Sequence, residues 1–196
     1  PQGNPTMTCI VGVVEGDTVY LGTDTQITSG YVTYSLVGES KLFSSNGFLY
    51  GGTGSFRGLQ IAQHCFIPPN REDKNLTAYM ALDFAKAFRE SFEGNSPKDQ
   101  KADTSFLIAH EGALFCLSSD YAVFSNPYMA IGSGSEIALG SLFSTDNQPP
   151  AARILTALKA AAQYNSGVSG PFTIRTLKKG SPDSTVLLDS GLELPQ

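Results

Sequence analysis

Hydrophobic and polar positions along this chain change their period in blocks. From Thr8 to Glu15 the run TCIVGVVE is almost continuously apolar, as expected of a strand covered on both faces, and EGD then turns it into a second strand, TVYLGTD. YVTYSLVGESKLF reads as irregular or edge strand, after which Asn46 and Gly47 turn the chain into the strand FLYGG. On this reading four strands precede any helix. SFRGLQIAQHCF is expected to be helical and to stop at IPPN, and a second helix is marked by Met80, Phe84, Phe88 and Phe92, spaced along one stripe. TSFLIAHEG, ALFCLSS and YMAIG give three more short strands, with Glu111 and Gly112 as the turn of a hairpin. SEIALGSLF follows as a third helix. The prolines at 149 and 150 open a fourth, with Ile154, Leu158 and Ala162 on one face, before two last strands in GPFTIRTL and STVLL.

Strands joined as hairpins are not the βαβ units of a parallel sheet, and helices arriving in pairs can cover a sheet's outer face. The pattern therefore predicts an α+β fold, a four-layer αββα sandwich of two antiparallel sheets flanked by helix pairs. Length and composition agree with one domain, residues 8–196, since 196 residues that are 41% hydrophobic and 16% charged can bury one substantial core. Residues 1–7, PQGNPTM, read as a tag remnant or short pro-segment ending on an initiator methionine. A net charge of −5 without a basic run argues against nucleic acid or an anionic membrane surface as partner. Cys9, Cys65 and Cys116 lie in apolar surroundings without metal-type spacing, and an odd number suits a reducing compartment. No stretch approaches the ~20 apolar residues of a membrane helix and no signal-peptide pattern is present, so the expected location is the cytoplasm. The NLT at Asn75 is then an accidental glycosylation match.

Chemistry by histidine has little to work with. His64 and His110 are the two histidines, one in a helix and one beside a turn; no G-x-S-x-G elbow and no S-x-x-K occurs. Gly52, Gly54 and Gly58 in YGGTGSFRG lie between a strand and a helix, but the spacing does not fit a dinucleotide loop and no second βα unit follows; tight packing at a helix start is the better reading. A different set needs neither histidine, metal nor cofactor. A threonine at a free N-terminus carries its own base, because its α-amine has a reference pKa near ~8 and can take the hydroxyl proton. A nearby lysine would keep that amine neutral, and an aspartate would keep the lysine charged and in place. Thr8, Asp24 and Lys41 supply these types on consecutive strands. Singly each has a plainer meaning, as strand residue, turn former or solvated charge; the conjunction points to the chemistry.

TCIVGVVEGDTVYLGTDTQITSG resembles the N-terminus of proteasome β-subunits and of HslV, the N-terminal nucleophile (Ntn) hydrolases, and the resemblance runs through nearly the whole chain from Thr8, with a bacterial proteasome homologue one form it could take. It implies the same αββα fold. It implies Thr8 as nucleophile, Asp24 as the partner of Lys41, with one extra residue before that lysine, and Gly54 in GGTGS as the backbone N–H of the oxyanion hole. Ser133, in AIGSGSEIALG, matches the serine beside the nucleophile's amine, while Thr28, with Ile27 beside it, and again Gly54 fall where the substrate strand is bound. One position departs. Where the family carries an aspartate after the last helix, this chain has Asn165, with Ser169 the nearest match to the family's hydroxyl; an amide can hydrogen-bond but carries no charge.

Removal of Met7 before a small residue would free the Thr8 nitrogen, so the chain beginning at Pro1 is expected to be inactive until the Met7–Thr8 bond is cut. The resemblance further implies a homo-oligomer of stacked rings, peptide or unfolded protein as substrate, and an ATP-driven unfoldase as a possible partner. Two other readings share these residues: a catalytically silent structural subunit, which Asn165 favours, and an amidase acting on small amides with the same Thr8 chemistry.

Overall fold

Alternate residues of a strand face opposite sides of its sheet, and here both sides are apolar. The computed structural model describes residues 7–29, 32–35, 40–96 and 103–188. In β1 (Ile10–Glu15) Ile10 enters one apolar cluster while Val11 and Val13 enter another. β2 (Thr18–Asp24) joins β1 through the turn at residues 16–17, and both belong to a five-stranded antiparallel sheet completed by β10 (Tyr128–Ile131), β11 (Phe172–Lys178) and β12 (Thr185–Leu188), in the order β10-β1-β2-β11-β12. A second antiparallel sheet runs β5 (Leu42–Ser45), β6 (Phe48–Gly54), β7 (Thr104–His110), β8 (Ala113–Leu117), β9 (Val123–Ser125), paired in that order.

Three apolar clusters correspond to the three interfaces of a four-layer stack. Between the sheets lie Ile10, Val19, Leu21, Leu42, Leu49, Leu107 and Leu114. The outer face of the second sheet, with Phe43, Tyr50 and Phe106, packs on α1 (Phe56–His64) and on a helix formed by α2 (Leu76–Ala78), a π-helical turn (Tyr79–Phe84) and α3 (Ala85–Asn95). Met80, Phe84, Phe88 and Phe92, the stripe of that helix, are all buried. The outer face of the first sheet, with Val11, Val13 and Ile174, packs on α4 (Ser135–Ser144) and α5 (Pro150–Tyr164) through Ala138, Leu142, Ile154 and Leu158. This is the αββα sandwich. Gly22 allows α5 to lie close, because a Cβ there would stand 2.2 Å from Ile154 Cγ2.

The elements differ from expectation in places. Of YVTYSLVGESKLF, expected as irregular or edge strand, residues 31 and 36–39 lie outside the described residues; β4 (Val32–Ser35) pairs with β3 (Gln26–Ser29) as a separate two-stranded sheet and β5 begins at Leu42, so among the described residues six strands precede the first helix rather than four. A fourth strand, β9, joins the expected three between the helix pairs; its three residues are partly or fully exposed and carry no buried alternation that would mark it. Cys9 and Cys116 are buried as expected, whereas Cys65 is exposed at the end of α1; all three are free thiols. The glycines of YGGTGSFRG do serve close packing: a Cβ on Gly52 would meet the Phe106 ring at 2.8 Å, and one on Gly58 would meet Thr104 Oγ1 at 2.1 Å. No described helix is long and apolar enough to cross a membrane.

Candidate active site

Thr8 and Asp24 are brought together by the register of the first hairpin. Ile10 pairs with Thr23, which sets Cys9 beside Asp24, and Cys9 N donates to Asp24 Oδ1 at 3.0 Å. Asp24 is completely buried, and its second oxygen accepts from Gln26 N at 3.2 Å. Lys41 comes from the other sheet. It stands just before β5, where its carbonyl accepts from Gly52 N at 3.1 Å, and its side chain spans the gap between the sheets. Its Nζ donates to Thr8 Oγ1 at 2.7 Å and to the Asp24 oxygens at 3.0 and 3.1 Å. With Thr8 6% and Lys41 3% exposed, the triad is sealed from bulk water and its electrostatic interactions are weakly screened.

Burial acts on both charges in the same sense. It holds the Lys41 ammonium below its ordinary value, with the Asp24 charge pulling the other way, and it pushes the Asp24 carboxyl above its ordinary value against Lys41 and the two backbone donors. A lysine so placed gives up its proton more readily than an exposed one. The neighbouring Cys9 thiol is pushed up to about 12 by burial and then by the Asp24 charge, so it is not a competing nucleophile.

The nitrogen side of Thr8 meets neutral groups. Ser133 lies in the turn between β10 and α4, and Thr8 N donates to its Oγ at 3.3 Å. Gly132 makes the approach possible: its φ is +94°, and a Cβ there would stand 2.2 Å from Thr8 O. Asn165, the residue at the C-terminal end of α5, grips Ser133 at two points, Nδ2 donating to Ser133 O at 2.7 Å and Oδ1 accepting from Ser133 Oγ at 3.3 Å. Oδ1 also accepts from Gly167 N at 2.9 Å.

Five of the residues singled out in the sequence, Thr8, Asp24, Lys41, Ser133 and Asn165, thus form one connected network. Gly54 is outside its hydrogen bonds but ends β6 one residue after Thr53, whose buried Oγ1 would lie 3.3 Å from a Cβ on Gly132; Gly54 has φ +112° and no room for a Cβ beside Asp103 O. Ile27 and Thr28 lie in β3, opposite Tyr34 and Thr33. Ser169 is not brought in: it is exposed in the loop before β11 and bonds to no member of the network. His64 and His110 are also elsewhere, His64 exposed at the end of α1 and His110 stacked on Phe48 with ring centroids 3.7 Å apart. The backbone donors of Cys9 and Gln26 escape sequence reasoning because any residue supplies an N–H. Gly132, though inside the motif AIGSG, shows its role only through its positive φ.

In this chain Thr8 N is bonded to Met7, and Thr8 Oγ1 donates to Met7 O at 2.6 Å. Met7 packs on Gly167, where a Cβ would stand 2.8 Å from both Met7 Cβ and Cγ.

No family model matches the sequence, and no curated protein matches it. Solved structures do match in fold. Thiobacillus denitrificans BPH in complex with epoxomicin superposes with a TM-score of 0.73 at 18% identity over 89% of this chain and 100% of that one. The same organism's BPH alone gives 0.72 at 19% identity over 90% of this chain and 100% of that one. HslV from Trypanosoma brucei gives 0.70 at 19% identity, covering 87% of this chain and 99% of that one. With two antiparallel sheets between helix layers and these neighbours along nearly its whole length, the chain shares the αββα fold of BPH and HslV.

Proposed function

We propose that the protein is a threonine peptidase of the proteasome-like type, with Thr8 as nucleophile once its nitrogen is free. The observation that carries this is the 2.7 Å contact between Lys41 Nζ and Thr8 Oγ1, with Lys41 held in place by a fully buried carboxylate. Desolvating a lysine is costly, and here the buried ammonium is directed at one hydroxyl, that of Thr8, besides its carboxylate partner. In the first step Thr8 Oγ attacks the scissile carbonyl carbon while the α-amine takes its proton, and Gly54 N–H stabilises the developing oxyanion. The amine then protonates the leaving nitrogen, and in the second step it deprotonates the water that releases the acyl group. Lys41 lowers the pKa of the hydroxyl and of the amine by its charge; Ser133, held by Asn165, orients the amine. The backbone of Ile27 and Thr28 would pair with an extended substrate. No metal or cofactor enters these steps.

The Met7–Thr8 bond must be cut first, because an amide nitrogen is no base. By the same fold-level likeness we expect homo-oligomeric rings enclosing the sites in the cytoplasm, fed with peptides or with protein unfolded by an ATP-driven partner. The test is protein made to begin at Thr8, assayed on fluorogenic peptides and on small amides, beside Thr8→Ala. Peptide turnover that falls to background in Thr8→Ala, with unchanged assembly, supports the peptidase; turnover of small amides alone supports an amidase. Asn165, neutral where the family is charged, favours a second reading, a silent structural subunit. Intact mass decides between them: natively expressed protein that keeps Met7 supports the silent reading, and one that begins at Thr8 the enzymatic one.

A further inference from the structure

We propose that the space beside Gly167 occupied by Met7 is the subsite for the residue on the leaving-group side of the cleaved bond, and that Gly167 sets its width. The proposal rests on the reading of Thr8 as nucleophile.

Gly167 is buried, and its backbone is not left-handed, so its conformation does not require glycine. What excludes a side chain is room: a Cβ would press on Met7 Cβ and Cγ at 2.8 Å and on Asn165 Oδ1 at 3.1 Å. The wall is fixed from several sides. Gly167 N is bonded to Asn165 Oδ1 at 2.9 Å, Val168 N to Asn165 O at 3.1 Å, and Ser166 O accepts from Gln26 Nε2 at 3.3 Å. Gln26 opens β3 two residues after Asp24, and its N–H is bonded to the Asp24 carboxylate, so the wall is tied to one partner of the charged pair.

The chemistry says what enters. As the acyl-enzyme forms, the substrate's C–N bond breaks, the new C–O bond joins Thr8 Oγ to the acyl carbon, and the electron pair left on the departing nitrogen takes a proton from the Thr8 ammonium. That nitrogen must therefore lie against Thr8 N, and its residue falls where Met7 stands while bonded to the same atom. A slot bounded by Gly167, and fitted to the straight Cβ–Cγ stem of a methionine, accepts unbranched apolar side chains at that position and rejects those branched at Cβ.

The test uses protein beginning at Thr8, a peptide mixture, and mass spectrometry of the cut sites. The wild type is expected to favour Met over Val or Ile immediately after the cut. Gly167→Ala should lower kcat/KM for a Met-after-cut peptide about tenfold or more relative to its Gly-after-cut counterpart, the range that one methyl group in a close-fitting pocket commands. The methyl ester of the same acyl segment, whose leaving group is too small to reach Gly167, should lose clearly less in Gly167→Ala than the Met-after-cut peptide does. A wild type indifferent to the residue after the cut, an unchanged Met-to-Gly ratio in Gly167→Ala, or parallel loss of ester hydrolysis, which would place the effect on Asn165, each overturns the subsite. Wild-type protein that cleaves neither peptide nor ester overturns the peptidase reading itself and the subsite with it.

Discussion

Breaking the Asp24–Lys41 pair should be far more damaging than removing it whole. Asp24 is 0% and Lys41 3% exposed, and the two share contacts of 3.0 and 3.1 Å. In Asp24→Asn the carboxamide keeps one acceptor, while its NH2 faces the Lys41 ammonium together with either Cys9 N–H or Gln26 N–H, donor against donor. The lysine charge is then left uncompensated in the gap between the sheets, and such breaks cost about 3–5 kcal/mol. Lys41→Met leaves the carboxylate with only Cys9 N and Gln26 N, and Asp24 can escape by taking up a proton. Its already raised pKa rises further, so this variant binds a proton more tightly folded than unfolded. Its stability is therefore greatest at acid pH and falls as pH rises from the ordinary carboxylate range to the raised folded value. Asp24→Asn with Lys41→Met removes both charges and should cost about 3 kcal/mol less than the sum of the singles. Urea unfolding of the four proteins at neutral pH measures this cycle, and a domain stable by about 5–15 kcal/mol remains folded in each single variant. A coupling below about 1 kcal/mol, the value of an exposed pair, would refute the argument that burial controls this site.

Other consequences are open to simpler tests. Asn165 Oδ1 reaches Thr8 N through two 3.3 Å hydrogen bonds of Ser133, so Asn165→Asp would place a charge within about 7 Å of the amine, worth about 1–2 kcal/mol at an effective dielectric of ~20–40. The acid limb of kcat/KM against pH should move up by about one unit, and an unmoved limb would separate Asn165 from the amine. Burial holds the His110 imidazole below its ordinary value despite the Gly47 carbonyl and Glu111. The unfolded chain therefore takes up a proton first as pH falls through about 6.5, and stability is lost from there down to the depressed folded value; melting temperatures of His110→Gln should show a flatter dependence. Gly22→Ala drives a methyl into Ile154 Cγ2 and Leu158 and should cost about 1–3 kcal/mol in chemical unfolding.

What could be read from the sequence follows how locally each feature is encoded. The strands whose residues alternate between two apolar layers, such as FLYGG and TSFLIAH, announce themselves, as does the Phe84, Phe88, Phe92 stripe. β9 does not, because an exposed three-residue edge strand is specified by its neighbour β8 rather than by its own pattern. Nor does the assignment of β4 and β5 to different sheets, since both have the same polar-apolar mixture. At the site, Thr8 and Asp24 were legible together because one hairpin register relates them. Lys41 was legible by residue type, as the cation the chemistry needs, but not by place: it stands beyond β3 and β4 and reaches them from the other sheet, not from the next strand, a placement no local pattern encodes. Ser169 shows a different limit: the residue type matches the resemblance, but its loop position puts it outside the network's hydrogen bonds.

The two sides of Thr8 are built differently, and the difference bears on Asn165, the position at which the sequence departs from the pattern it resembles. The hydroxyl side holds the charges, drawn from the two sheets; the nitrogen side holds only the neutral Ser133 and Asn165, drawn from the ends of the outer helices. A carboxylate at position 165 would favour the ammonium form of a free Thr8 nitrogen, whereas a carboxamide leaves the Lys41 charge as the nearest influence on it, and that charge favours the neutral amine. The amide also does something a carboxylate cannot, since its Nδ2 donates to Ser133 O while its Oδ1 accepts from Ser133 Oγ, fixing the serine at two points. Asn165 therefore need not mark a retired site. A neutral clamp on the nitrogen side adds no charge that would favour the ammonium, and the buried cation on the hydroxyl side favours the form of the amine that can accept a proton.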